Sequence, residues 1–257
     1  MENQTILITG TNGFIANEVI QFLKKKNFNV ISTSRYKNIR SIFIDFNIPI
    51  KKNVNIPKFD FLIHLAYARR SSFADEKYVN YEYSKFLFRL AKKNKAKIIY
   101  VSSQSSAKNS LSKYGKIKFH IEKLAKQYES LIIRPGLVYK KNTYDGLYGQ
   151  INMIIKKYPL VFLPSGLNKK IYLCNIESLL EKIYLLISAK ENFKLNIIND
   201  NESYTLKTLI KKIITENKKY IILIPVNYRI LFYLLKLIEI FKIDLKFKAD
   251  NLLSLKK

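Results

Sequence analysis

Thr9–Ala16 reads TGTNGFIA and stands between an apolar run, TILIT (5–9), and a segment of helical periodicity, 15–26. The chain holds only seven glycines in 257 residues, and two of them, Gly10 and Gly13, lie three apart here. Glycine suits backbone that takes a left-handed conformation or approaches a ligand closely. A strand, a tight glycine turn and a helix N-terminus together make an anion site, because free N–H groups and the helix dipole converge on one point. An ordinary strand–helix turn has the same outline, so the rest of the chain must separate the two readings.

Outward from this stretch, strand-like runs recur at 29–34, 41–45, 60–66, 97–103 and 130–135, with helical segments at about 78–95 and 114–128 between them. That alternation predicts an α/β fold, a Rossmann-type doubly wound parallel sheet. After Pro135 the expected pieces are a helix at 147–157, a turn at PLVFLPSG (159–166) and a short strand at 171–173. A helix at 175–189, a strand at 193–198, a helix at 205–217 and an apolar segment at 220–241 complete the chain. We therefore expect a dinucleotide-binding core over 1–140 and a small substrate-binding lobe over 141–257, interleaved with the C-terminal edge of the sheet as one structural unit. Within 220–241, Pro225, Arg229, Lys236 and Glu239 interrupt what would otherwise be a membrane span. The apolar spacing after 229 suits a helix packed on the body in preference to one resting on a membrane surface.

Forty-six Lys and Arg against nineteen Asp and Glu give a net charge of +27. Such an excess suits nucleic acid, a membrane or an anionic substrate. The lysines are scattered along a chain rich in Asn and Ile and lacking Trp, as an AT-rich coding bias produces. No nucleic-acid-binding signature accompanies them, so no nucleic-acid partner is expected. The single cysteine, Cys174, excludes a disulfide framework and a cysteine-built metal site. His64 and His120 have no partner set, and no metal is expected. With no secretory pattern ahead of the first strand, a cytoplasmic address is the expectation.

The stretch SLSKYGKIKFHIEKL (110–124) holds Tyr114 and Lys118 four apart, on one face of a helix. A neighbouring ammonium favours phenolate and so brings a tyrosine toward the range of an acid–base catalyst. Eleven residues upstream of Tyr114, KIIYVSSQSS (97–106) ends a strand in hydroxyls at Ser102 and Ser103, where an open α/β sheet presents its site.

In order, these motifs resemble those of the extended short-chain dehydrogenase/reductases, the group of nucleotide-sugar epimerases, dehydratases and 4-ketoreductases. TGTNGFIA is similar to the family's cofactor turn, with Ala16 at the third glycine, and implies cofactor contacts from Gly10, Thr11, Asn12, Gly13, Phe14 and Ile15. FLIHLAY (61–67) resembles its V-I-H-L-A-A and brings Leu65, Ala66 and Tyr67 to the cofactor, Tyr67 replacing an alanine. VNYEYSKFLFRLAKKN (79–94) sets Asn80 and Ser84 on the family's Asn and Thr. LIIRPGLVYK (131–140) resembles R-P-x-x-V-Y-G and implies Pro135 and Val138, with Lys140 where glycine is usual. FIDFN (43–47) supplies Asp45 at the adenine position, with Phe46 beside it. YVSSQSSA (100–107) and KYGKIK (113–118) give by resemblance the catalytic set Ser103, Tyr114 and Lys118, the last two also touching the cofactor. IYLCNIESLLEKI (171–183) resembles F-V-H-V-D-D-V-A, with Asn175 at an aspartate position.

The resemblance implies a nicotinamide cofactor and a nucleoside-diphosphate sugar. After the second strand, STSRYKNIR (32–40) offers Arg35, Lys37 and Arg40 and no carboxylate, so NADP(H) is expected over NAD(H). Gln104 and Ser105 replace the Asp–Glu pair of the dehydratases, which leaves a 4-ketoreductase or a 4-epimerase, with a non-catalytic binding or regulatory protein as the alternative of another class. NADP(H) tilts the reading toward the reductase, acting on a 4-keto-6-deoxy sugar destined for polysaccharide. Lys140, Lys141, Lys169 and Lys170 are the expected diphosphate partners. A homodimer is expected through the helices at 78–95 and 114–128, with Phe86, Leu87, Leu90 and Ile121 as its face.

Overall fold

A computed structural model describes residues 4–35, 41–45, 56–70, 72–141, 143–188, 195–240 and 248–256. The first half runs β1 (Thr5–Thr9), α1 (Phe14–Lys25), β2 (Asn29–Ser34), β3 (Ile42–Phe43), β4 (Phe61–His64), α2 (Phe73–Lys93), β5 (Lys97–Val101), α3 (Lys113–Gln127), β6 (Leu131–Pro135) and β7 (Leu137–Tyr139). There follow α4 (Gly146–Lys157), β8 (Leu160–Ser165), β9 (Ile171–Asn175), α5 (Ile176–Ile187), β10 (Leu195–Ile198) and β11 (Ser203–Tyr204). The chain continues through α6 (Leu206–Glu216), β12 (Ile222–Asn227), α7 (Tyr228–Ile240) and α8 (Ala249–Ser254).

Seven strands form one sheet in the order β10-β6-β5-β4-β1-β2-β3, and every pairing in it is parallel. The apolar runs are continuous because helices cover both faces. Alternate residues serve opposite layers. Ile6, Ile8 and Ile63 pack against Ala16, Val19 and Leu23 of α1 and Ile183 of α5. Leu7, Leu62 and Ile98 pack against Leu87 and Phe88 of α2 and Ile117 and Ile121 of α3. This is the doubly wound parallel sheet expected from sequence. The strand order reverses between β1 and β4, which opens a crevice at the carboxyl ends of the strands.

Four expectations change. PLVFLPSG is not a turn: β8 occupies it and pairs in parallel with β12, Leu160 opposite Ile222 through Ser165 opposite Asn227. Pro164 and Pro225 read as strand breakers, yet alternate residues of a two-stranded ribbon point their N–H away from the partner strand, where its absence is harmless. The segment 220–241 accordingly divides into strand β12 and helix α7. Next, α5 and β10, within the stretch assigned to the lobe, belong with the sheet, where β10 pairs with β6 and α5 packs on α1. Finally, Leu87 and Ile121 are core residues, 0% and 2% exposed, so of the named dimer face only Phe86 and Leu90 reach the surface of α2. A third cluster, built from Ile155, Leu163, Leu173, Leu209, Ile213, Leu252 and Leu255, holds the lobe together over the mouth of the crevice.

Candidate active site

A cavity of about 580 Å³ opens where β1, β4, β5 and β6 end, roofed by α4, α6, α8 and the segment 169–172. At its floor, Gly10 has φ +83°, and a Cβ there would stand 2.8 Å from Cα of Ala66. Only glycine meets both demands. The hydroxyl of Thr11 donates to the Thr33 carbonyl at 2.7 Å, and that of Ser34 donates to Asn12 Oδ1 at 3.2 Å, fastening the turn to the end of β2. Gly13 is the N-cap of α1 and brings no side-chain cap, while Phe14, Ile15 and Ala16 line the cavity. The uncapped first-turn N–H groups and the room above glycine fit a dinucleotide pyrophosphate.

The loop after β4 is held by buried polar groups. His64 is fully buried, and its Nε2 lies 3.0 Å from Ser84 Oγ, which itself donates to the Asn80 carbonyl. Nε2 therefore carries the proton, and Nδ1 accepts from the Thr9 hydroxyl at 2.8 Å. Thr9 Oγ1 in turn accepts from the N–H groups of Leu65 and Ala66. Burial, reinforced by the charge of Lys118, lowers the His64 pKa to about 3, so the ring is a neutral strut. Asn80 brackets Ala68, accepting from its N–H and donating to its carbonyl. Glu76 accepts from the Tyr67 hydroxyl at 2.6 Å and from Arg70 N–H at 2.7 Å.

This bracing presents two side chains to Tyr114. The rings of Tyr67 and Tyr114 meet edge to face, with centroids 4.8 Å apart. The Arg69 guanidinium sits 5.6 Å from the Tyr114 ring and 6.0 Å from the Tyr67 ring, and among the described residues no carboxylate pairs with it. Burial raises the Tyr114 pKa above its ordinary value, and Arg69 and a hydrogen bond with Ser103 pull it back. The sequence assigned that lowering to Lys118. Lys118 Nζ instead donates to the Val101 carbonyl at 2.9 Å and is 5.7 Å from the Tyr114 ring. Burial lowers its own pKa to about 7, against the nearby Glu122, which raises it and is itself shared with Arg134. Burial thus disfavours the charged form of Lys118, while the Arg69 guanidinium lies beside the phenol ring.

Ser103, Gln104 and Ser105 line the wall opposite. Ser103 Oγ lies 2.9 Å from Ser105 Oγ, while Nε2 of Gln104 is buried without a hydrogen-bond partner. The one carboxylate among the described lining residues is Asp250 of α8. It accepts from Lys113 N–H at 2.7 Å and Tyr114 N–H at 3.3 Å, while Ser112 Oγ accepts from Gly115 N–H at 3.1 Å. The first three donors of α3 are thereby satisfied. Gly115 lets that helix start against the serine loop, since a Cβ there would lie 2.4 Å from the Ser105 carbonyl oxygen.

Of the residues expected from sequence, Gly10, Gly13, Phe14, Ile15, Leu65, Ser103, Tyr114, Lys118, Pro135 and Val138 line one cavity. Thr11, Asn12 and Ala66 build the turn behind it, and Tyr67 supports Tyr114 with its hydroxyl engaged by Glu76. Arg35 is exposed directly after β2. Asp45 is away from the cavity wall, its carbonyl accepting from the Tyr83 hydroxyl, and Phe46, Lys37 and Arg40 lie outside the described residues. Among the lobe cations, Lys169 and Lys170 line the cavity, with Lys169 Nζ also donating to the Ser254 carbonyl at 2.9 Å. Lys140 and Lys141 lie off the cavity wall, and the Lys140 ammonium donates to Glu18 at 2.8 Å. Arg69 and Asp250 were not anticipated. Among the described residues no cluster of three or more His, Cys, Asp or Glu is placed to hold a metal.

The family described as NAD dependent epimerase/dehydratase matches residues 6–142. No curated protein sequence matches the chain. Solved structures share the fold at low identity. MoeE5 in complex with UDP-glucose and NAD is 16% identical with a TM-score of 0.73, over 87% of this chain and 85% of that one. The ADP-L-glycero-D-manno-heptose-6-epimerase of Helicobacter pylori is 18% identical with a TM-score of 0.71, over 88% and 86%. A dTDP-4-dehydrorhamnose reductase from Clostridium acetobutylicum is 19% identical with a TM-score of 0.70, over 87% and 84%.

Proposed function

This chain belongs to the NAD dependent epimerase/dehydratase family, and from that premise we propose that it is a 4-ketoreductase of a nucleoside-diphosphate sugar. The observation that carries the reading is the cavity wall around Tyr114, which offers one phenolic proton carrier, the Ser103 hydroxyl and, among the described lining residues, no carboxylate beyond the engaged Asp250. A nicotinamide held there would supply the hydride for the sugar's carbonyl carbon. Tyr114 gives its phenolic proton to the carbonyl oxygen, and Arg69 stabilises the phenolate left behind. Ser103 orients that oxygen. Lys118 and the glycine turn hold the cofactor, with Lys169 and Lys170 toward the diphosphate. The UDP-, ADP- and dTDP-linked compounds named with the solved neighbours support a nucleotide-linked substrate.

A 4-epimerase would employ the same proton carrier and return the hydride. Arg35 after β2 favours NADP(H), which suits net reduction. The experiment incubates the protein with NADPH or NADH and a panel of nucleotide-linked 4-keto sugars, following absorbance and product stereochemistry. Stoichiometric NADPH loss is expected, and Tyr114→Phe should lower turnover by at least about a hundredfold while cofactor still binds. Isomer interconversion without net NADPH loss would transfer the assignment to an epimerase. Turnover that survives Tyr114→Phe would remove Tyr114 from the chemistry. We also assign self-association to the outer surface of α2 and α3, where Phe86 and Leu90 are half-buried.

A further inference from the structure

The lobe turns a second, apolar surface to solvent. Helix α7 sends Leu231, Phe232 and Leu235 into the lobe core. Its opposite face carries Ile230, Tyr233, Leu234 and Leu237, which are 56%, 65%, 49% and 52% exposed. Their spacing of three, one and three residues makes one stripe along the helix. The ribbon that leads into α7 repeats the arrangement. Val161, Leu163 and Leu223 belong to the core, while Phe162 and Ile222, from the alternate set, are 57% and 66% exposed. Large apolar side chains gathered in this way on consecutive elements mark an interaction surface.

The charge around this surface selects its occupant. Lys218 and Lys219 immediately precede the fully exposed Tyr220, and Arg229 opens α7. The acid on the described part of α7, Glu239, is occupied by Lys236 and by the N–H of Ala249. In a contact between two copies of this face, Lys218, Lys219 and Arg229 would meet their own kind, with Glu239 already engaged. An anionic bilayer complements them. Among the described residues no helix is long and apolar enough to cross a membrane, so the contact is peripheral.

We propose that this face docks on an anionic lipid bilayer, with α7 lying in the interface. Ile230, Tyr233, Leu234 and Leu237 enter the headgroup–acyl boundary, and Lys218, Lys219 and Arg229 meet lipid phosphates. The sequence favoured a packed helix over a membrane-bound one; the two faces of α7 allow both at once.

The test is co-sedimentation of the full chain with phosphatidylcholine vesicles, with and without phosphatidylglycerol, at low and high salt. Binding to the anionic vesicles should exceed binding to neutral ones by about tenfold or more and fall steeply with salt. Leu234→Ser/Leu237→Ser, both at exposed positions, should lose binding by about tenfold while keeping the wild-type melting temperature and NADPH affinity. Absence of binding at low salt, binding indifferent to phosphatidylglycerol, or a double variant that binds like wild type would each overturn the proposal. So would a wild-type dimer in lipid-free solution that the double variant converts to monomer, since the face would then belong to a second copy.

Discussion

Lys118 is 2% exposed and has its pKa lowered by burial from an ordinary 10.5 to about 7. Between those values the unfolded chain binds a proton that the folded one does not, so stability rises with pH across this window. One pKa unit corresponds to about 1.4 kcal/mol, and the burial of Lys118 costs on the order of 5 kcal/mol below pH 7. The melting temperature of the cofactor-free protein should therefore climb from pH 7 to 9, and Lys118→Met should flatten that climb. A melting temperature as pH-dependent in Lys118→Met as in wild type would show that Lys118 is charged when folded. Arg35 supports a second prediction at this scale. A charge-assisted hydrogen bond contributes about 1.5–3 kcal/mol, so NADPH should bind at least about tenfold more tightly than NADH. Fluorescence titration of Arg35→Ala should show that preference gone; an unchanged preference would place the 2′-phosphate elsewhere.

At the scale of elements, α3 carries Tyr114 at its second position, where a helix frays most readily. Ser112 and Asp250 prevent this by accepting its first three N–H groups. Asp250→Ala should lower stability by about 1 kcal/mol, as loss of a helix cap does. It should also lower kcat more than it raises KM, because the phenol loses its fixed aim; a change in KM alone would sink this account. The strands β1, β2, β4, β5 and β6 were legible because two covered faces force continuous apolar runs at glycine- and proline-bounded spacing. That Ser103, Tyr114 and Lys118 share one cavity was legible because one strand end and one helix face carry them. β8 was illegible because prolines that end a central strand are tolerated in a ribbon. Asp250 was illegible for a different reason: 136 residues separate it from Tyr114, and no local pattern reports a contact made only by the fold. Arg69 reaches Tyr114 only because Glu76 and Asn80 brace its loop, which spacing along the chain does not express.

For the whole molecule, the proposed dimer face and the proposed lipid-docking face are separate surfaces, one on α2 and α3 and the other on β8, β12 and α7. Light scattering across the micromolar range should give a dimeric mass, weakened by Phe86→Glu/Leu90→Glu and untouched by changes on α7; a monomeric mass throughout would remove the dimer. The grip of Asp250 on α3 has a consequence in time. The parallel sheet is complete once β10 is in place, yet α3 receives two of its N-terminal acceptors from a residue some fifty positions later. Contacts so distant along a chain close late during folding. Refolding followed by cofactor binding and by turnover should therefore show binding recovered first and turnover later, as α8 docks on α3; simultaneous recovery would refute that order.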